Sequence, residues 1–64
     1  MAATILRLPD VKARTGMSRS AIYASIKKQQ FPKPVKLSER SSGWIEAEVS
    51  EWIEARIAQS RKAA

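Results

Sequence analysis

The apolar residues in the last third of the chain repeat with the period of an α-helix. From Ile45 to Ile57 they recur at intervals of three and four residues, which places them on one side of a helix. Acidic residues occupy the first turn and basic residues the end, the order that the helix dipole favours. The pattern predicts a helix over residues 46–61 that supports the fold by packing.

The stretch TGMSRSAIYASIKK combines a stop, a cap and a new helix. Gly16 interrupts the preceding pattern, and Ser18 is a favourable N-cap residue. Ile22 and Ile26 follow at helical spacing, so one side of the new helix is apolar. These features predict a helix over residues 18–29.

A shorter helix precedes this one. Pro9 suits the first helical position, where its missing N–H costs nothing, and Asp10 suits the first turn. The helix is predicted over residues 9–15, after a short extended segment over residues 5–8. Two short helices joined by a tight turn that contains Gly16 predict a helix-turn-helix.

The middle of the chain predicts β-structure. Its stretch FPKPV contains two prolines, which exclude a helix. Residues 35–37 have strand character and residues 43–45 can return antiparallel, so residues 35–45 form a hairpin, the wing, with Arg40 at or near its tip. The predicted fold is mainly α with a small β-hairpin: a winged helix-turn-helix of three helices plus the wing. Its expected core comprises Val11, Ile22, Ile26, Phe31, Val35, Leu37, Trp44, Ile45, Val49, Trp52, Ile53 and Ile57.

Length and composition restrict the classes of protein. A chain of 64 residues allows one domain, residues 1–64, with residues 1–4 and 62–64 expected to be flexible. It contains no cysteine and no histidine, which excludes disulfides and zinc fingers. It also contains no signal peptide and no apolar run of membrane length, so a soluble, cytoplasmic protein is expected, nucleoid-associated in a bacterial or phage-infected cell.

Positive charge is concentrated in the first two thirds of the chain. The net charge is +6, and residues 1–40 hold nine basic residues against two acidic ones, whereas residues 41–64 hold three against four. This asymmetry is typical of a protein in which one surface faces a polyanion and the rest of the fold supports that surface. Judged on charge alone, a basic surface that only keeps the protein soluble is as good an explanation as nucleic-acid binding.

The polar face of the second helix favours DNA over a merely solvated surface. It carries small residues among basic and aromatic ones and no acidic residue, whereas a solvated helix more often carries Glu–Lys pairs. Small side chains would let the helix backbone enter the major groove, and a wing arginine could reach the minor groove. The candidate DNA-binding residues are Arg19, Ser20, Tyr23, Ala24, Lys27, Lys28, Lys36, Arg40 and Ser41.

No set of residues indicates an enzyme. Histidine, cysteine and a glycine-rich phosphate loop are absent, and most acidic residues belong to one helix. We therefore expect no catalytic residue, cofactor, metal, small-molecule substrate or membrane partner.

Three motifs resemble the AlpA family of small phage and prophage regulators, which is related to excisionases and to MerR-type winged DNA-binding domains. They are TGMSRSAIY, FPKPVKL and GWIEAEVSEWI, in that order and spacing, within a resemblance that covers residues 7–61. The resemblance implies double-stranded DNA binding by the second helix and the wing. It also implies transcriptional control, often of a neighbouring integrase gene, with excision of the element as a consequence.

Carried over by position, the resemblance places Arg19, Ser20 and Tyr23 in the recognition-helix motif and Arg40 in the wing. Two positions depart from the family pattern. Lys12 stands where a small or apolar residue is common, which implies different packing between the first two helices. Ala47 stands where serine often precedes the last helix, which implies a weak cap.

Two other functions stay open at this point. The protein could be an architectural excisionase that bends DNA for a recombinase, or a protein-binding inhibitor that uses its basic face. Self-association on DNA and a recombinase partner are open as well. The sequence does not specify the operator, or activation against repression.

Overall fold

The computed structural model describes residues 3–63 and shows three helices and a small antiparallel sheet in that part of the chain. This architecture confirms the mainly α winged helix-turn-helix predicted from the sequence. The elements are β1 (Ile5–Leu6), α1 (Leu8–Thr15), α2 (Arg19–Lys27), β2 (Val35–Ser38), β3 (Ser41–Ile45) and α3 (Glu46–Ala63).

Both ends of α1 are stabilised by local hydrogen bonds. The Arg7 N–H donates to Asp10 Oδ2 over 3.3 Å, which caps the first turn. The helix begins one residue before Pro9, which is tolerated there because the first-turn N–H groups have no helical partner. Gly16 ends the helix in the left-handed conformation, with φ of 72°, and donates its N–H to the Lys12 carbonyl over 2.8 Å.

The turn between α1 and α2 is held by two hydroxyl groups. Thr15 Oγ1 donates to the Val11 carbonyl over 2.8 Å and accepts from the Met17 N–H over 3.2 Å. Ser18 Oγ then accepts from the Ala21 N–H over 3.1 Å, which confirms it as the N-cap of α2. These bonds fix the angle at which α2 leaves the turn.

α2 ends at Lys27, two residues before the predicted end. Gln29 takes a left-handed conformation, with φ of 60°, which a helix cannot continue. The Gln30 N–H donates to the Ser25 carbonyl over 2.8 Å, and the Gln29 N–H to the Ile26 carbonyl over 2.9 Å. This pair of bonds is a Schellman motif, and it turns the chain toward the wing.

The wing belongs to a sheet with the strand order β1-β3-β2. β2 and β3 pair antiparallel around a turn at Glu39 and Arg40, which confirms the hairpin over residues 35–45 and the arginine at its tip. The turn is tighter than expected, since β3 begins at Ser41. β1 pairs with the other edge of β3, with Leu6 opposite Trp44, so the extended segment before α1 adds a third strand.

Gly43 is confined between the two outer strands of the sheet. A Cβ at this position would contact Ile5 Cγ2 far inside van der Waals distance and would lie 2.9 Å from the backbone oxygen of Leu6. The Leu6 oxygen is part of a paired strand and cannot move without breaking that pairing. Glycine is therefore required by the close approach of β1 to β3.

We expect Gly43→Ala to lower the free energy of unfolding by about 2 kcal/mol, because the added methyl group overpacks the sheet. Urea denaturation followed by circular dichroism measures the change. Ser42→Ala, at the exposed neighbouring position, is the control and should stay within about 0.5 kcal/mol of the unsubstituted protein. Equal stability of the Gly43→Ala and Ser42→Ala proteins would contradict the close approach.

Several residues that the sequence assigns to the core are not fully buried. Leu37 and Ile57 are each 46% exposed, so their assignment to the core is wrong. Trp52 and Ile53 are only partly buried and pack against the core from α3. The buried residues are Leu6, Val11, Ile22, Phe31, Trp44 and Val49.

The position of each element explains these two errors. Leu37 lies on β2, which is an edge strand. Ile57 lies in the second half of α3, where every described side chain from Glu54 to Lys62 is exposed. Helical spacing is present there, but no other element of the described chain covers that side.

The two departures from the family pattern have little structural consequence. Lys12 is exposed on α1, while its neighbour Val11 makes the buried contact, so the packing of α1 does not depend on position 12. Ala47 is not a cap, because α3 already begins at Glu46, whose N–H donates to the Thr4 carbonyl over 2.8 Å. The first turn of α3 is therefore tied to the segment before β1.

The expectations about domain extent and termini remain predictions. Residues 1, 2 and 64, part of the segments expected to be flexible, lie outside the described residues. α3 extends through Ala63, two residues beyond its predicted end. Within residues 3–63 no helix combines the length and the apolar character needed to cross a membrane.

Candidate nucleic-acid interface

One face of α2 is entirely exposed. The exposed side chains are Arg19, Ser20, Tyr23, Ala24 and Lys27, whereas on the apolar side Ile22 is buried and Ile26 is partly buried. The helix contains no acidic residue. This exposed α2 face can therefore approach a polyanion without charge repulsion from its own side chains.

Tyr23 links the α2 face to the wing. Its ring lies edge-on to that of Trp44 on β3, with 6.3 Å between centroids and 61° between planes. The guanidinium carbon of Arg19 lies 5.7 Å from the Tyr23 ring centroid, within cation–π range. Trp44 is 1% exposed and donates its Nε1–H to the Pro32 carbonyl over 3.0 Å. The buried indole, the tyrosine ring and the guanidinium therefore lie next to one another, in that order from the core to the surface.

The wing presents basic and hydroxyl groups around a shallow depression of about 410 Å³. Lys36 is opposite Ser42 in the strand register, and Arg40 is exposed in the turn. Ser41 is partly buried at the start of β3, so it is the least accessible of the candidate residues. Glu39 shares the turn and is the one acidic residue that lines this depression in the described chain.

Two lysines follow one another at the end of α2. Lys27 is the last helical residue, and Lys28 is the cap residue, whose N–H donates to the Ala24 carbonyl over 3.1 Å. Both are exposed. Basic residues at a helix C-terminus are stabilised by the dipole, so this pair costs the fold little.

None of the candidate DNA-binding residues has its charge neutralised by a salt bridge within the described part of the chain. Among residues 3–63 the structure contains a single salt bridge, from Arg14 on α1 to Glu46 on α3, with 2.9 Å between nitrogen and oxygen. Both side chains are partly exposed, at 45% and 35%, so this pair contributes at most about 1 kcal/mol. The cationic groups of α2 and the wing keep their charge available for a ligand.

The chain matches the family described as Prophage CP4-57 regulatory protein (AlpA) over residues 4–57. It belongs to the AlpA family. The match covers β1, both helices of the helix-turn-helix, the wing and the part of α3 that packs on them. This confirms the resemblance seen in the three motifs.

Two relatives extend the comparison. Uncharacterized protein ORF88 of Enterobacteria phage P4 is 40% identical over 57 residues, which cover 89% of this chain and 65% of the phage protein. The chain therefore spans somewhat less than two thirds of that relative's length. The DNA-binding transcriptional activator AlpA of Escherichia coli strain K12 is 44% identical in an alignment of 61 positions, and the match covers 86% of this chain and 87% of the relative.

Sequence reasoning about this AlpA-family chain missed the contact between Trp44 and Tyr23. It assigned Trp44 to the core, which the structure confirms, but it did not predict that Trp44 lies against Tyr23. The requirement for glycine at position 43 was missed as well. The only available signal was the adjacency of a glycine and a tryptophan in one predicted strand.

Proposed function

We propose that this chain is a sequence-specific double-stranded DNA-binding protein that regulates transcription, with α2 in the major groove and the wing on the adjacent minor groove or backbone. The observation that carries the proposal is the exposed, acid-free face of α2. The name of the Escherichia coli relative, a DNA-binding transcriptional activator, supports it. The proposal assigns no catalytic residue.

The dimensions of α2 suit the major groove. With its side chains an α-helix is about 10–12 Å across, against a groove width of about 12 Å, and the nine residues of α2 extend about 13 Å along the helix axis. Ser20 and Ala24 stand one turn apart, and their short side chains allow the helix backbone to approach the base edges.

The other candidate residues are assigned to positions around Ser20 and Ala24. Arg19, at the start of α2, is assigned to base edges and backbone, and Tyr23 stands beside it. Lys27, Lys28 and Lys36 are assigned to phosphates. Arg40, with Ser41 beside it, is assigned to the minor groove or its phosphates.

An unbiased selection from random duplex DNA tests the proposal. We expect enrichment of a defined motif and a shift of that duplex, but not of a scrambled one, in a gel assay. The absence of any enriched motif would contradict sequence-specific binding. A promoter–reporter assay run beside an excision assay then separates a transcription regulator from an architectural excisionase, since only a regulator changes reporter output.

Salt dependence tests which cations contact phosphates. With about four to five phosphates neutralised, log K should fall against log salt with a slope of roughly −4. Lys28→Gln should flatten the slope by about one and weaken specific and non-specific duplexes alike, because a phosphate contact carries no base information. Fluorescence anisotropy over a range of salt concentrations measures both effects.

The control for this prediction is the far end of α3. Arg61 and Lys62 are exposed there, beyond the core, and their replacement by glutamine should leave the slope unchanged. If they carry the salt dependence and Lys27 and Lys28 do not, the docking face proposed here is wrong.

A further inference from the structure

A wide groove of about 800 Å³ lies where the segment between α2 and β2 meets the first half of α3. It is lined by residues 29–35 together with Glu48, Glu51 and Trp52. None of the candidate DNA-binding residues lines it. The groove is therefore a second surface, distinct from the α2 face, and it adjoins the wing depression at Pro34, which lines both.

The floor of this groove offers apolar surface to solvent. Phe31 is buried beneath it, whereas Pro32, Pro34, Val35 and Trp52 are only partly buried. An open groove lined by aromatic, proline and aliphatic side chains is suited to hold an apolar anchor residue of a ligand.

The groove is preformed by contacts within the chain. Trp52 donates its Nε1–H to the Gln30 carbonyl over 2.6 Å, which ties α3 to the segment after α2. The rings of Phe31 and Trp52 pack edge-on, with 4.8 Å between centroids. Pro32 and Pro34 restrict the backbone of the remaining wall. A ligand would therefore bind without first ordering the groove.

The charge of the groove is opposite in sign to that of the chain. Glu48 and Glu51 are exposed along it and Lys33 is its one basic lining residue in the described chain, which gives a net formal charge of −1. The whole chain carries +6. The two carboxylates would repel phosphates, so the groove favours a cationic ligand over a nucleic acid.

We propose that this groove binds a protein segment in which an apolar side chain is flanked by lysine or arginine. The apolar side chain lies over Trp52 and the prolines, and the cationic groups lie near Glu48 and Glu51. The groove shares no residue with the candidate DNA-binding set, and it meets the wing depression at Pro34. The proposal does not depend on the DNA-binding function.

A peptide titration of the ¹⁵N-labelled full-length chain, followed by NMR, tests the proposal. The probe is a hexapeptide of alternating arginine and leucine, compared with one of glutamate and leucine and one of arginine and serine. We expect the first peptide to shift the Trp52 indole signal and the amides of the segment after α2, and the other two to bind at least tenfold more weakly. Equal binding of the three peptides, or shifts confined to other regions, would overturn the proposal.

Variants that neutralise one glutamate at a time distinguish binding at this site from a general attraction of cations to α3. Glu48→Gln and Glu51→Gln should each weaken binding of the arginine–leucine peptide about threefold, since each removes one exposed charge beside the ligand. Glu54→Gln is the matched control, because Glu54 is an exposed acid of the same helix outside the groove, and it should change binding little. Equal effects of all three variants would contradict the site.

Two further outcomes are decisive. Concentration-dependent shifts of the Trp52 signal without peptide would show that a second copy of the chain occupies the groove, against the proposal. Glu51→Gln should also leave the affinity for the selected DNA duplex unreduced. Peptide binding by a chain that fails to bind DNA would leave this inference standing and refute the proposed function alone.

Discussion

Trp44→Ala is expected to unfold the domain. The indole is 1% exposed at the centre of the core, and truncation of a buried aromatic residue costs about 3–5 kcal/mol. A domain of 64 residues has a total stability of about 3–10 kcal/mol, so this loss removes much or all of it. Thermal unfolding followed by circular dichroism should show a transition that is strongly lowered or absent at 25 °C.

Trp52→Ala is the matched control for this prediction. Trp52 is only partly buried, although it donates a hydrogen bond to Gln30 and packs against Phe31. Its truncation should therefore destabilise the fold less than that of Trp44. A Trp44→Ala protein that stays folded and unfolds cooperatively, or a Trp52→Ala protein that is the less stable of the two, would show that the core is centred on α3 and not on β3.

Ala24→Glu is expected to abolish specific DNA binding, with a loss of 100-fold or more in affinity. Ala24 is exposed on α2, so the substitution introduces both a longer side chain and a negative charge where the helix is proposed to meet the bases. Two effects weaken binding together. A single lost base contact costs about 1–3 kcal/mol, and the new carboxylate is repelled by the DNA phosphates. Fluorescence anisotropy with the selected duplex measures the loss.

Ala58→Glu makes the same chemical change on another exposed helical surface. Ala58 lies in the second half of α3, outside the proposed interface, and the variant should bind the duplex within about twofold of the unsubstituted chain. Both variants should have unchanged circular dichroism spectra, because neither position is buried. Specific binding by a folded Ala24→Glu protein would mean that α2 does not lie in the major groove.

The structure confirms those expectations that depend on local chemistry. The left-handed Gly16, the Ser18 cap and the Arg40 turn are where the sequence predicted them. Each depends on interactions among residues that are close in sequence. The end of α2 was missed because Gln29, rather than a glycine or asparagine, takes the left-handed conformation of its C-terminus.

The sequence predicts which residues form the candidate interface, but it does not predict the contacts between their side chains and the core. Helical periodicity separates the Ile22 side of α2 from its polar side, and the structure shows the polar side exposed. The contacts that join Arg19, Tyr23 and Trp44 involve two different elements. Their geometry depends on how β3 packs against α2, which no local pattern encodes.

The sequence by itself determined the order of the elements, the helix-turn-helix, the wing and the membership of the AlpA family, because caps, prolines, periodicity and motifs act within short stretches. Only the tertiary structure decided the pairing of β1 with β3, the close approach at Gly43, the exposure of Leu37 and Ile57, and the groove beside Trp52. The reason is physical. Periodicity shows which side of an element is apolar, but whether that side is buried depends on what packs over it from elsewhere in the chain.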